Sequence, residues 1–439
     1  MKFSDILLKA LPTKKTDKYV YFLMLVAILP IIYICFSQRI SYLSLNYACL
    51  LIFCGILFFE FIKNITKKPL LKKEKSPAYL MLKLLILWIF ISCFFSSDLH
   101  ASWMGAYDGY YQVESVWQYL FYFVVAVAAI RLKKENVKYL FSLFITVACL
   151  VMLIQFGMGD YSFGFIHKNH TGYYICMTFM MSVGLFFFSK NILESIFLMF
   201  SIILHLISFV LNGSMGPIFG LIAFFVCGLV YILIHKRELF IKFLSIFACF
   251  IVVFTIFDFS PILKDYRDEP ASTLDKISGI TLVVLNKIGI ISDDFVEESE
   301  VPAGSDGYGR LDLWKLALKD MKENPLFGVG IGSWKGYHEG LDSFKPHNEV
   351  LQYGIIAGYP AVIIYIVLIL YLFIKFRKNH KTKNNLSFII LSILFVYLVQ
   401  SMFGCMMPFT SPLYFLVLGL SIKFIDIKDD NINLKNENS

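Results

Sequence analysis

The chain has 439 residues, of which 58% are hydrophobic, 17% aromatic and only 16% charged. A soluble domain carries roughly 25% charged residues, so this composition excludes an ordinary soluble globule and indicates a polytopic membrane protein. The formal net charge of +8 is gathered in short lysine-rich loops, where it reads as a determinant of topology and not as a nucleic-acid surface.

Taken in chain order, the apolar runs predict an all-α polytopic membrane protein of about twelve transmembrane helices. They cover residues 18–37, 41–62, 79–96, 113–130, 138–157, 171–188, 192–211, 217–235, 240–257, 350–376, 386–404 and 410–424. The first run is too long for a signal peptide and has no small-residue cleavage site, so it reads as a span. Nearly all of the nine cysteines lie inside these runs, as small apolar side chains and not as a disulfide framework. The loops KNITKKPLLKKEKSPA, RLKKENVK, HKRE and KFRKNHKTKNN fall on the same side as the lysine-rich N-terminal segment. On the opposite side, SSDLHASWMGAYDGYY and NGSMGP have neither Lys nor Arg, and GDYSFGFIHKNH has Lys168 alone. This asymmetry predicts that both termini are cytoplasmic.

That orientation divides the chain into spans one to nine over residues 1–257, an extracytoplasmic loop over 258–349, spans ten to twelve over 350–424, and a polar, disordered cytoplasmic tail over 425–439. A loop of roughly 90 residues is too long for a plain connector. Its stretch DDFVEESEVPAGSDGYG is acidic and glycine-rich. The stretch RLDLWKLALKDMKENP sets Leu311, Trp314, Leu318 and Met321 at helical spacing, offset from Lys315, Lys319 and Lys322. It predicts an amphipathic helix that ends at Pro325 and lies on the membrane or on the span bundle.

The loops assigned to the outer face concentrate the polar chemistry. His347 and Asn348 stand at the threshold of the tenth span. The pair reads either as a helix cap with an incidental histidine or as a general base that titrates near neutral pH. Arg310 opens the amphipathic helix, where a cation opposes the helix dipole; an anionic partner or a lipid phosphate would account for it. His167 and His170 are three apart, as metal ligands can be. No carboxylate follows at useful spacing and no cysteine is near, so an anion-binding surface that includes Lys168 fits them better. The run GVGIGS follows no predicted strand and reads as a backbone turn. Glu298 and Glu300 read as a solvated acidic loop, and His205, inside the seventh span, as functional or as a helix-to-helix hydrogen bond.

The string GRLDLWKLALKDMKENPLFGVGIGSW followed by KPHNEVLQYGIIAG resembles the signature of the O-antigen ligase and polymerase superfamily of bacterial membrane glycosyltransferases. The shared pattern falls on Arg310, Trp314, Pro325, Gly328, Gly330, His347, Asn348 and Gly354 or Gly358. The stretches WMGAYDGYYQ and LNGSMGPIFGLIAF fit less specifically. The resemblance implies transfer of a glycan from an undecaprenyl-pyrophosphate carrier to a hydroxyl of a glycan, lipid or protein acceptor, outside the cytoplasmic membrane. It implies no metal, nucleotide or other cofactor, and partners limited to donor, acceptor and bilayer, with no nucleic acid. It makes His347 the base and Arg310 the pyrophosphate-binding residue, with Asn348, His167, His170, Ser214 and Trp314 in support. Members usually carry Ser-Arg-Gly where the eighth span begins, and this chain has Ser214-Met215-Gly216. Either Lys168 or Lys335 then stands in for the missing arginine, or the chain is a polymerase or divergent branch with another arrangement. A transporter or flippase of lipid-linked oligosaccharide is the competing reading, against which stands the lack of symmetric broken helices.

Overall fold

The computed structural model describes residues 18–36, 41–64, 76–105, 107–108, 111–112, 114–165, 167–259, 307–334, 345–378 and 385–426. Lys335, Glu298, Glu300 and the tail from residue 427 onward lie outside the described residues. Among the described residues, secondary structure is helical apart from one short antiparallel pairing, Tyr107–Asp108 with Tyr111–Gln112.

Each apolar run becomes a helix. These are α1 Lys18–Phe36, α2 Tyr42–Asn64, α3 Pro77–Ser92, α5 Val116–Arg131, α6 Lys134–Met158, α7 Lys168–Phe188, α8 Ile192–Asn212, α9 Met215–His235 and α10 Phe240–Phe259. Beyond the long loop come α12 Glu349–Lys378, α13 Asn385–Ser401 and α14 Ser411–Ser421, the last continuing into a π turn at Ile422–Asp426. A short α4, Leu99–Met104, follows α3, and α11, Gly307–Glu323, precedes α12. Among the described residues, 8 helices are long and apolar enough to cross a membrane, and Leu43–Phe58, Val116–Arg131 and Asn385–Ser401 are shorter apolar helices. The last two apolar runs give short helices because Met402 to Thr410 between them forms turns, around Gly404 and Pro408. Pro412 then opens α14, where a missing N–H costs nothing.

α7 is the hub, buried on nearly every side. It packs on α8, α13, α6 and α9, while α14 lies against α5 and α3 against α12. Close approach depends on small residues: a Cβ at Gly419 would collide with the Ala126 backbone, and one at Gly184 with Ile389.

Side-chain contacts tie the loops together at two opposite ends. At one end Asp426 accepts from Ser76 Oγ (2.6 Å) and Tyr371 Oη (2.6 Å), Lys423 donates to Ile130 O, and Lys242 to Phe186 and Ser189 carbonyls. This is the end that carries the described lysine-rich connections, residues 131–138 and 235–238. The other end gathers residues 96–102, 114–115, 167–170, 212–214 and 345–352 with the turn after α13.

α12 is broken at Ala357 and Gly358, where Pro360 removes a helix donor. The groups released at the break find partners elsewhere, as buried backbone must. Val329 N donates to Ile355 O (2.7 Å), Trp88 Nε1 to Ala357 O (2.9 Å), and Tyr359 N to Pro325 O (2.8 Å). The glycine run is therefore a backbone turn, wedged between this kink and Ser96, Ser97 and Ser102, whose hydroxyls reach Val329 O and Ile331 O.

α11 rests on α12 and not apart from the bundle. Its buried face is Leu313, Leu316, Ala317 and Met321, packed with Trp334 and Ile355. The expected stripe is thus corrected in part: Met321 is on it, but Leu318 is 51% exposed. The Pro325–Gly328 turn fixes the rotation of the helix, and spacing alone does not.

Candidate active site

The site is built where the chain enters α12. Asn348 caps the helix, its Oδ1 accepting Leu351 N at 3.1 Å, the bond that an N-cap asparagine supplies. Its Nδ2 donates to Met402 O at 3.2 Å, and Gln352 Oε1 accepts Met406 N at 2.8 Å. The cap is thereby stitched to the turn between α13 and α14.

His347 precedes the cap with φ +49°, and among the described residues no other non-glycine residue has positive φ. A left-handed conformation is costly for a side chain with a Cβ, and such strain persists where surrounding contacts impose it. The half-buried imidazole is held neutral, with its pKa pushed down to about 3 by desolvation first, then by Arg310, His167 and Lys345.

The structure thus brings Arg310 and His167 to His347. Arg310 is half-buried on the first turn of α11, and its charge also reaches Tyr173. Trp314 lies one turn further along α11, its buried Nε1–H without a hydrogen-bond acceptor among the described residues. His167 caps α7, Nδ1 accepting Asn169 N at 3.1 Å. His170 is buried, pairs Nδ1 with Phe165 O at 3.1 Å and stacks on Phe409. The two imidazole rings are 5.5 Å apart. Among the described residues, no group of three or more His, Cys, Asp or Glu is placed to hold a metal.

Ser214 is buried and donates to Asn169 Oδ1 at 2.9 Å, while Asn212 Nδ2 donates to Lys168 O at 3.0 Å. These bonds fasten the α8–α9 turn to the start of α7. Lys168 sits half-buried at that junction, and Met215 is buried beside it.

Three further residues belong to the site and were not singled out by motif. Lys345 donates to the Glu114 carboxylate, to Met406 O (2.5 Å) and lies 3.0 Å from Met407 Sδ. Burial pushes the Glu114 carboxyl up, against the pull of Lys345. Glu349, 1% exposed, accepts Tyr397 Oη at 2.8 Å and Tyr365 Oη at 3.5 Å. The signal was available: each is a charged residue directly beside an apolar helix, and such residues demand partners.

A family model described as O-antigen ligase matches residues 200–366, the stretch that holds Ser214, Arg310, Trp314, His347 and Asn348. Over that stretch the chain is similar to the O-antigen ligase family, in line with the resemblance carried by those residues. A search of curated proteins finds no match. That similarity, with the apolar helices, supports a glycan-transferring role in polysaccharide biosynthesis and a place in the bacterial inner membrane.

Proposed function

We propose that this protein transfers a glycan from an undecaprenyl-pyrophosphate carrier to an acceptor hydroxyl at the outer face of the cytoplasmic membrane. The observation that carries the reading is the meeting of a neutral His347 with Arg310 at one end of the bundle, inside the family match. A neutral imidazole accepts a proton, and a guanidinium compensates a pyrophosphate; glycosyl transfer from a sugar pyrophosphate requires both.

The acceptor oxygen forms a bond to the anomeric carbon, and its proton passes to His347. The bond from that carbon to the phosphate oxygen breaks, and the electron pair leaves on the carrier pyrophosphate beside Arg310. Trp314 Nε1–H is a spare donor on the same face of α11. The lysine-rich loops mark the cytoplasmic end, so the His347 end opens outward and both termini face the cytoplasm. Lys168 and Lys335 remain proposed as further cations for the pyrophosphate, with His167, His170 and Ser214 shaping the pocket rim.

The test is a deletion strain complemented with His347→Asn or Arg310→Ala. Asparagine tolerates left-handed backbone, so the first variant removes the base and keeps the loop. Loss of surface polysaccharide with normal membrane levels is expected from both. Wild-type polysaccharide from the His347 variant would refute the base, and from the Arg310 variant the pyrophosphate role. A ligase defect leaves full-length glycan on the carrier; a polymerase defect leaves single repeats.

A further inference from the structure

We propose that Glu114 and Lys345 are positioning residues for His347: a buried ion pair that clamps the histidine loop and sets its local charge. The inference rests on the reading of His347 as the base and goes beyond it by naming what holds that base in place.

The geometry is specific. Lys345 lies two residues before His347 and comes off a loop, yet its side chain is only 11% exposed and that of Glu114 only 2%. Burying a charge without compensation is expensive, so a loop lysine enters an interior only if partners await it. Here they come from two other parts of the chain: Glu114 just ahead of α5, and the Met406 carbonyl and Met407 sulfur in the turn after α13. Glu114 is steadied in turn by Tyr122 Oη at 3.4 Å.

These contacts decide what Lys345 does. An ammonium has three donors, and Lys345 turns them on Glu114, Met406 O and Met407 Sδ, inside the protein. It therefore serves as an anchor of the loop. It anchors one flank of His347 while Asn348 anchors the other on Met402 O, in the same turn. A loop fastened on both sides of one residue is how a left-handed histidine is maintained. The charged and titratable groups that act on His347 are Arg310 from α11, His167 and His170 from the start of α7, and Lys345 on its own loop, with Glu114 paired to Lys345 and Glu349 two residues further along the chain. Lys345 is thus one of the cations that discourage protonation of the base.

The experiment uses the full chain in detergent, with Lys345→Met, Glu114→Gln and the doubly apolar Glu114→Met/Lys345→Met. Diethyl pyrocarbonate, which modifies neutral imidazole, probes His347 by mass spectrometry as pH is lowered. Lys345→Met should move the acid limb of His347 modification to higher pH, because a nearby cation has gone. Glu114→Gln, which leaves that cation uncompensated, should not raise it, and the double variant should fall between. Each variant should also lose about tenfold or more of the surface polysaccharide made by a complemented deletion strain. A clamp that is packing alone would loosen the loop alike in all three. A common direction of shift, no shift, or wild-type polysaccharide therefore overturns the inference. If one variant does not fold, the other two decide; if none folds, the pair belongs to folding and the inference fails. Persistence of polysaccharide in His347→Asn is a separate result, which overturns the base itself.

Discussion

Glu349 and Tyr397 are hydrogen-bonded at 2.8 Å inside the bundle, two residues beyond His347. Tyr365 shares the same carboxylate and receives a bond from Tyr414 Oη at 3.1 Å. This chain of polar groups ties the first turn of α12 to α13 and α14, on the side away from the cap. Glu349→Ala would leave buried phenols unpaired, at a cost of about 1–3 kcal/mol. Glu349→Gln retains an acceptor and should lose less. Thermal unfolding in detergent orders the two, and a reversed order would remove Glu349 from the support of the site.

The backbone at His347 makes a second prediction. With φ +49°, His347→Ala keeps a strained position and loses the side chain, whereas His347→Gly relieves the strain. The glycine variant should be more stable than the alanine variant by about 1 kcal/mol, and Asn should lie between them. All should be inactive. Equal stability of Ala and Gly in unfolding experiments would show that the left-handed turn carries no strain.

The same residue predicts how stability depends on pH. His347 is pushed down to about 3 in the folded protein, against about 6.5 for a free histidine. Below about 6.5 the unfolded chain binds a proton that the folded chain refuses, so this residue lowers stability as pH falls from 6.5 toward 3. Above that window it contributes no slope. His347→Asn should flatten the acid side of the stability profile, measured as melting temperature against pH. An unchanged slope would mean that His347 is not held neutral.

Much of this was legible in the chain. Period and apolarity located the apolar helices and α11, because an apolar or amphipathic helix is written in its own residues, whereas the short α4 was read as loop. Asn348 was legible as a cap for the same reason: N-capping is local. Arg310 and His347 were legible as a pair only through the resemblance, since nothing in the intervening residues says that α11 folds back onto α12. Glu114 and Lys345 were illegible as partners because they lie far apart and meet only through tertiary packing. The stripe on α11 was misjudged at Leu318 for a related reason, since the rotation is set by the glycine turn docking on the α12 kink.

Trp314 yields a prediction about ligand and not stability. Its buried Nε1–H has no acceptor among the described residues, so Trp314→Phe removes an unsatisfied donor while keeping most of the packing. Melting temperature should stay the same or rise slightly, while complementation of the deletion strain should fall. Full complementation would assign Trp314 to packing alone.

Gly358 links the kink to the position of Arg310. Its φ is +73°, and a Cβ there would strike the carbonyls of Leu326 and Pro325. Those carbonyls belong to the turn that ends α11, and Pro325 O is also the acceptor for Tyr359 N. Gly358→Ala cannot be absorbed by a flexible side chain, because the obstacle is backbone. Either the turn withdraws, moving α11 and Arg310 from His347, or the kink distorts. The variant should lose about 1–3 kcal/mol of stability, and polysaccharide synthesis should fall by more than the lost protein explains. Gly354 is the control: the nearest atoms a Cβ there would meet belong to the flexible Met321 side chain, so Gly354→Ala should be better tolerated in both measurements. If the two variants behave alike, α11 is not held in register by the kink, and the placing of Arg310 needs another cause.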